Sequence, residues 1–134
     1  MAAFHASAVS LASAGLIKAK AWLAPILIER AWETSLDQGG SPVRPWPWAD
    51  TWPVARLKAM GGDIDLIVLA GGSGRTLAFG PGHLSASAMP GQPGNSGIAG
   101  HRDTHFSFLQ RLSVGEPVGV VAAFSAWNFP ALLP

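Results

Sequence analysis

Apolar residues recur at helical spacing near the start of the chain and predict an amphipathic helix over residues 18–40. Charged side chains fall elsewhere on the helical wheel. Pro25 is expected to kink the helix or break its first part, and Gly39 and Gly40 are expected to end it. The periodicity itself extends from Leu16 to Leu36, and the predicted apolar side consists of Leu16, Leu23, Ile26, Leu27 and Ala31.

The next segment, Ser41–Pro53, contains four prolines and cannot form a regular element. Its three tryptophans, Trp46, Trp48 and Trp52, are expected to be largely buried, as a strap packed along the domain. A proline-rich ligand for an aromatic groove is the less favoured alternative.

From Val54 onward the pattern becomes that of strands and turns, which predicts a mainly β domain over residues 41–124. Asp65–Ala70 and Thr76–Phe79 predict a β-hairpin across a glycine-rich turn. A short strand over Ser96–Gly100 would place His101 at its end. Further predictions are a loop over Pro90–Asn95, a helical turn within His105–Leu112 and a strand over Val118–Phe124.

Residues 1–17 are small and apolar, but the run is shorter than a bilayer-spanning helix. No basic region precedes it, so it is a poor secretory signal peptide. Two interpretations remain open, a buried N-terminal helix and the remnant of a membrane anchor.

The composition of the chain argues against several classes of function. The formal net charge is +1 and the basic residues form no run, which gives no electrostatic reason to expect nucleic-acid binding. The chain has no cysteine, so it can form neither a disulfide nor a thiolate zinc site, and it cannot perform thiol catalysis by itself.

Three local patterns suggest chemistry only weakly. The glycine-rich Gly71–Arg75 lacks the phosphate-loop pattern and is expected to lead into a strand. Ser73 within it is not in a nucleophile elbow. His101 and His105 are four residues apart and could share a metal on a helix, but the strand expected before His101 argues against that, so no metal or cofactor site is expected.

The segment Leu77–Leu112, LAFGPGHLSASAMPGQPGNSGIAGHRDTHFSFLQRL, resembles the central part of a sortase. The matching residues include Gly80–His83, Pro90–Gly91, Gly94–Asn95 and Ile98–Arg102. Upstream, the segment Pro45–Leu57, PWPWADTWPVARL, is similar to class GN sortases of Gram-negative bacteria, as is the form GHRDTHF around His101.

The resemblance implies a β-barrel preceded by an N-terminal helix, and a cysteine transpeptidase activity. In that family a thiolate attacks a peptide carbonyl at a C-terminal sorting motif, and an amine then accepts the acyl group. His101 matches the catalytic histidine. The implied partners are a protein substrate with a sorting motif and, through the N-terminal segment, the inner membrane, with the catalytic domain in the periplasm.

The departures from the family are equally informative. The family cysteine and arginine follow the histidine at a distance, and neither is matched here. Residues 125–134 diverge from any barrel strand. We therefore expect an incomplete barrel from a truncated or frame-shifted sortase that is inactive as given. The alternative is a non-catalytic, sortase-derived binding or scaffold domain.

Overall fold

The computed structural model describes residues 22–59 and 63–115 in full, and the backbone of residues 122–124. The predicted anchor remnant, 1–17, and the divergent tail, 125–134, lie outside the described residues. The described elements, in chain order, are helix α1 (22–37), strands β1 (Pro53–Ala59) and β2 (Ile64–Ala70), helix α2 (Gly74–Leu77), strands β3 (Gly82–His83) and β4 (Gly97–Ala99), a 3-10 helix (Ser107–Arg111) and strand β5 (Ala122–Phe124).

The end of α1 is the predicted one. Gly39 and Gly40 both adopt positive φ, which glycine tolerates without strain, and the Gly40 N–H donates to the Ser35 carbonyl at 2.8 Å. The expected break at Pro25 is wrong within the described residues, because the helical backbone continues through Pro25, whose ring is exposed.

The buried side of α1 differs from the predicted one. Ala24, Ile28 and Ala31 are buried, whereas Leu23 is 45% exposed. Of the predicted members that the structure describes, Leu23, Ile26, Leu27 and Ala31, only Ala31 is buried. Helical periodicity predicts an apolar stripe, but tertiary contacts determine which side of the helix is buried.

The first hairpin joins β1 to β2, not β2 to residues 76–79 as the sequence predicted. Leu57 pairs with Leu66 and Ala59 with Ile64 in an antiparallel ladder. Residues 74–77 form α2 instead, because the Ser73 side chain accepts a hydrogen bond from the Thr76 N–H and caps the helix. The Gly71–Arg75 segment therefore leads into a helix, which corrects the expectation of a strand.

One face of the sheet builds the main core. Buried Val68 and Ile98 contact the rings of Phe106 and Phe108, which pack edge to face with centroids 6.0 Å apart. Partly buried apolar residues of β1, β2 and the 3-10 helix pack against this core: Val54, Ala55, Leu57, Ala59, Ile64, Leu66 and Leu109. Phe106 lies just before the 3-10 helix and Phe108 lies within it. The two rings thereby hold the segment after β4 against the sheet.

The crossover between β2 and β3 is short and depends on a close backbone approach. The two strands are parallel, with Leu69 opposite Gly82. Gly71, with φ 82°, turns the chain out of β2, and a Cβ on Gly82 would lie 2.0 Å from the Gly71 carbonyl oxygen. Only glycine fits at position 82.

The described strands form one mixed sheet in the order β1-β2-β3-β4-β5. β3 and β4 are antiparallel, and β5 joins β4 in parallel, with Ala99 opposite Phe124. The strand predicted over Val118–Phe124 is therefore present over its last three residues. A small sheet behind an N-terminal helix is compatible with part of the expected barrel, and the strand order shows no closure within the described residues.

An arginine links α1 to the second face of the sheet. Arg56 of β1 contacts Glu29 of α1 at 2.6 Å and Asp65 of β2 at 2.5 Å. The hydrogen bonds that Arg56 donates to the carboxylates of Asp65 and Glu29 raise the pKa of Arg56 beyond its ordinary value, and the Arg56 hydrogen bond lowers the pKa of Asp65. No helix within the described ranges is long and apolar enough to cross a bilayer.

The glycine at the crossover provides a first test. We expect Gly82→Ala to lower the free energy of unfolding by about 3 kcal/mol, because the added methyl group collides with rigid backbone. Gly74→Ala is the matched control, since a Cβ there meets nothing within 4 Å. Urea unfolding of both variants measures the effect, and equal midpoints would contradict the close approach.

The Arg56 contacts predict a loss of stability in acid. Because the pKa of Asp65 is lowered in the folded chain, its contribution is present above the ordinary carboxyl pKa and disappears as the pH falls through the lowered one. Arg56→Met should lower the melting temperature at neutral pH, and its difference from the native chain should shrink in acid. Lys58→Met, which removes a more exposed contact 3.9 Å from Asp65, should change little.

Candidate active site

His101 lies just beyond β4, at a corner that Gly100 makes possible. A Cβ on Gly100 would lie 2.8 Å from the Phe106 ring, so the ring packs directly on the backbone before His101. Phe106 is only 2% exposed and belongs to the core. The position of His101 at the end of a strand is the predicted one, and its side chain is half-buried.

The main chain of His101 is held by the turn that follows it. The His101 carbonyl accepts hydrogen bonds from the Thr104 N–H at 3.3 Å and the Phe106 N–H at 3.1 Å. These bonds fix the start of the turn 101–106 relative to the core. Within the described residues the ring of His101 has no hydrogen bond, so its nitrogens are available for a proton transfer.

His105 lies near enough to His101 for their charges to interact. Partial burial lowers the pKa of His105, and the charge on His101 lowers it further. A positive charge on His101 therefore disfavours a positive charge on His105.

The other polar groups of this turn do not build a metal centre. Arg102 is paired with its neighbour Asp103 at 3.1 Å, and both side chains are largely exposed. Across the described part of the chain, no group of three or more histidine, cysteine or acidic side chains is placed to share a metal ion. His101 and His105 are joined by a turn and not by a helix, which removes the geometry that the metal hypothesis required.

A second histidine network, which our sequence analysis did not single out, supports the strand beside β4. His83 is buried, and its Nε2 lies 2.9 Å from the Ala88 carbonyl and 3.2 Å from the Ser87 hydroxyl. Since a carbonyl only accepts, Nε2 carries the proton. Ser87 in turn accepts from the Gly97 N–H at 2.8 Å and donates to the Leu84 carbonyl at 2.7 Å.

This network ties the loop 84–96 to the first residue of β4. The signal in the sequence was a histidine and a serine four residues apart between two glycine-rich turns, and spacing alone could not distinguish them from polar residues exposed to water. Ser73, the other serine considered, uses its hydroxyl to cap α2 and contacts Thr76 Oγ1 at 3.0 Å. Neither serine is presented as a nucleophile.

A family model for the sortase domain matches residues 57–129, more than half of the chain. The chain belongs to the sortase family. A comparison with curated proteins found no match. The matched range begins within β1 and includes β2 to β5, so the sortase domain covers the sheet, the His83 network and the turn that carries His101.

The two histidines of the turn provide a test of this geometry. We expect NMR titration to give His105 a pKa below that of a free histidine, because burial disfavours its charged form. His101→Gln should raise the pKa of His105 part of the way back, since it removes the repulsion but not the burial. An unchanged pKa in this variant would show that the two rings do not interact.

Proposed function

We propose that this sortase domain takes part in transpeptidation, with His101 as the group that protonates the leaving amine. Membership of the sortase family supports the reaction class. The role of His101 rests on its placement. The Phe106 ring packs on the backbone just before it, and its imidazole is half-buried. In the described part of the chain the ring has no hydrogen bond, so it can donate a proton to a substrate.

The chemistry requires a nucleophile in addition. In sortase-type transfer a cysteine thiolate adds to the peptide carbonyl, the C–N bond breaks as the histidine gives its proton to the departing nitrogen, and a thioester remains. An acceptor amine then attacks the thioester and releases the thiol. An arginine stabilises the oxyanion formed in each step.

This chain contains no cysteine and therefore cannot form that thioester by itself. We propose that the residues of this chain supply the histidine of a sortase domain and are inactive in transpeptidation by themselves. Arg102 is adjacent to His101 but is paired with Asp103, which does not suit it to the oxyanion role.

The substrate class and the location follow from the same family proposal. The substrate is a protein with a C-terminal sorting motif, and the acceptor is an amine. The segments Pro45–Leu57 and Gly100–Phe106 support assignment to class GN. Residues 1–17 would then hold the chain at the inner membrane, with the domain on the periplasmic side.

A non-catalytic role as a binding or scaffold domain is the second candidate. The absence of cysteine from all 134 residues favours it, because a domain that only binds a sorting motif needs no nucleophile. This role predicts binding of a sorting-motif peptide without cleavage, and binding that survives His101→Ala.

We expect the purified chain to show no cleavage of a labelled LPxTG-type peptide. Measurable cleavage that disappears in His101→Ala would contradict this proposal, because it would show that another nucleophile acts beside the histidine. Peptide binding is measured in parallel by fluorescence anisotropy.

A gain-of-function experiment tests the role of His101. The cysteine- and arginine-bearing C-terminal part of a complete class GN sortase is joined after Gly115. We expect transpeptidation that falls by at least about 100-fold in His101→Ala, the usual contribution of a general acid. His105→Ala is the matched control, and activity that persists in His101→Ala would refute the assignment.

A further inference from the structure

The position of His101 depends on the strand before it, and that strand is short. β4 contains three residues, and its ladders with β3 and β5 extend over two and three residues. Ile98 is its only large side chain. The register of a short, glycine-rich strand is weakly specified, because few side chains distinguish one alignment from another. The position of β4 along its own axis therefore depends on contacts outside these ladders.

The packing at the end of β4 restrains the strand without fixing this axial position by itself. The Phe106 ring lies against the backbone of Gly100, where a Cβ would be 2.8 Å from the ring. Apolar contact is non-directional, so the backbone can slide over the ring by a fraction of an ångström at little cost. Hydrogen bonds, in contrast, weaken steeply as distance and angle change. The hydrogen bonds at the start of β4 therefore determine where the strand lies along its axis.

Gly97, the first residue of β4, is held at both of its backbone groups by the loop 84–96. Its N–H donates to Ser87 Oγ at 2.8 Å, and its carbonyl accepts from the Leu84 N–H at 2.8 Å. A Cβ at position 97 would lie 3.2 Å from Leu84 Cδ1 and 3.4 Å from Ser87 Oγ, so the loop lies close against a residue without a side chain. The start of β4 is thus attached to two points of one loop.

His83 holds the Ser87 hydroxyl in place. The hydroxyl donates its proton to the Leu84 carbonyl at 2.7 Å, which leaves its lone pairs for the Gly97 N–H and for the proton on His83 Nε2, 3.2 Å away. His83 Nε2 also donates to the Ala88 carbonyl at 2.9 Å. The hydroxyl thereby uses its whole hydrogen-bonding capacity, and His83 is only 4% exposed. A fully satisfied, buried network of this kind is rigid.

We propose that His83 is a positioning residue for His101, and that it acts through Ser87 and Gly97 on the axial position of β4. This inference rests on the transpeptidase proposal for what His101 does, but not for where His101 lies. Proton transfer requires the imidazole within hydrogen-bonding distance of the leaving nitrogen. A displacement of about 1 Å in such a group can reduce a rate by about 100-fold.

Two amide substitutions separate the Nε2 hydrogen bonds from the mere filling of the site. The amide nitrogen of glutamine lies as many bonds from the Cα as Nε2 does, so His83→Gln can replace the shared donor. The amide nitrogen of asparagine lies only as far along the side chain as Nδ1, so His83→Asn cannot. Ser87→Ala removes the hydroxyl itself. Thr51→Val is the matched control, because it removes a buried hydroxyl that donates to the Ala70 carbonyl at 2.7 Å, at the end of β2.

The first measurement uses the full chain and no catalysis. NMR records the His101 Hε1 resonance and the nuclear Overhauser effect between Gly100 Hα and the Phe106 ring, and urea unfolding records stability. We expect His83→Asn and Ser87→Ala to move the resonance and weaken the Overhauser effect, and His83→Gln to keep both near their native values. Thr51→Val should lower the urea midpoint and leave both signals unchanged.

Two results of this measurement would overturn the proposal. One is a folded Ser87→Ala chain with native His101 and Gly100 signals. The other is a His83→Gln chain that is folded and as perturbed at His101 as His83→Asn. Should His83→Asn fail to fold, the comparison of Ser87→Ala with Thr51→Val decides by itself.

The second measurement uses the sortase joined after Gly115. We expect Ser87→Ala and His83→Asn to lower kcat by about tenfold or more with KM nearly unchanged, because the proton donor is displaced while the substrate contacts remain. His83→Gln should recover most of the activity. Equal losses of kcat in Ser87→Ala and Thr51→Val would overturn the proposal. A joined sortase that is inactive with its native residues would refute the proposed function, whereas the NMR comparison would still decide whether His83 positions His101.

Discussion

The contact between the Phe106 ring and the backbone of Gly100 is the interaction on which the arrangement of this domain depends. Phe106 is part of the core beneath β2 and β4, and the same ring leaves no space for a side chain at position 100. The core therefore determines where β4 ends, and where β4 ends determines where His101 begins its turn. A residue proposed for chemistry is thus positioned by packing that extends across the whole sheet.

Specific contacts also hold helix α1 and the crossover between β2 and β3 in place. Arg56 joins α1 to both strands of the first hairpin through two carboxylates. Gly82 allows β3 to lie beside β2 after a crossover of only eleven residues, Gly71 to Pro81. Parallel neighbours normally need a connection of about a dozen residues or more. The capped turn of α2 supplies the compact geometry that makes the shorter connection work.

The sequence was most informative where local chemistry alone determines structure. The glycines after α1, the turn after His101 and the strand before it all follow from backbone preferences, and the structure confirms them. The hairpin expected after β2 was wrong, because one hydroxyl cap at Ser73 outweighed an alternating pattern only four residues long. Trp48 is 82% exposed and not largely buried as expected. Its exposure and the buried side of α1 depend on tertiary contacts, which the periodicity of the sequence does not contain. The His83 hydrogen bonds depend on the way the loop 84–96 folds back on β4, which residue spacing could not show.

The position of β5 has a consequence for how this sheet could grow. β4 has two edges, of which one pairs with β3 and the other with β5. The pairing with β3 extends over two residues and the pairing with β5 over three, so both ladders of β4 are short. Because both edges of β4 are occupied, a further strand could pair with β4 only by displacing β3 or β5. Phe124 lies opposite Ala99, only two residues before His101, so the strand that occupies this edge of β4 ends close to the histidine.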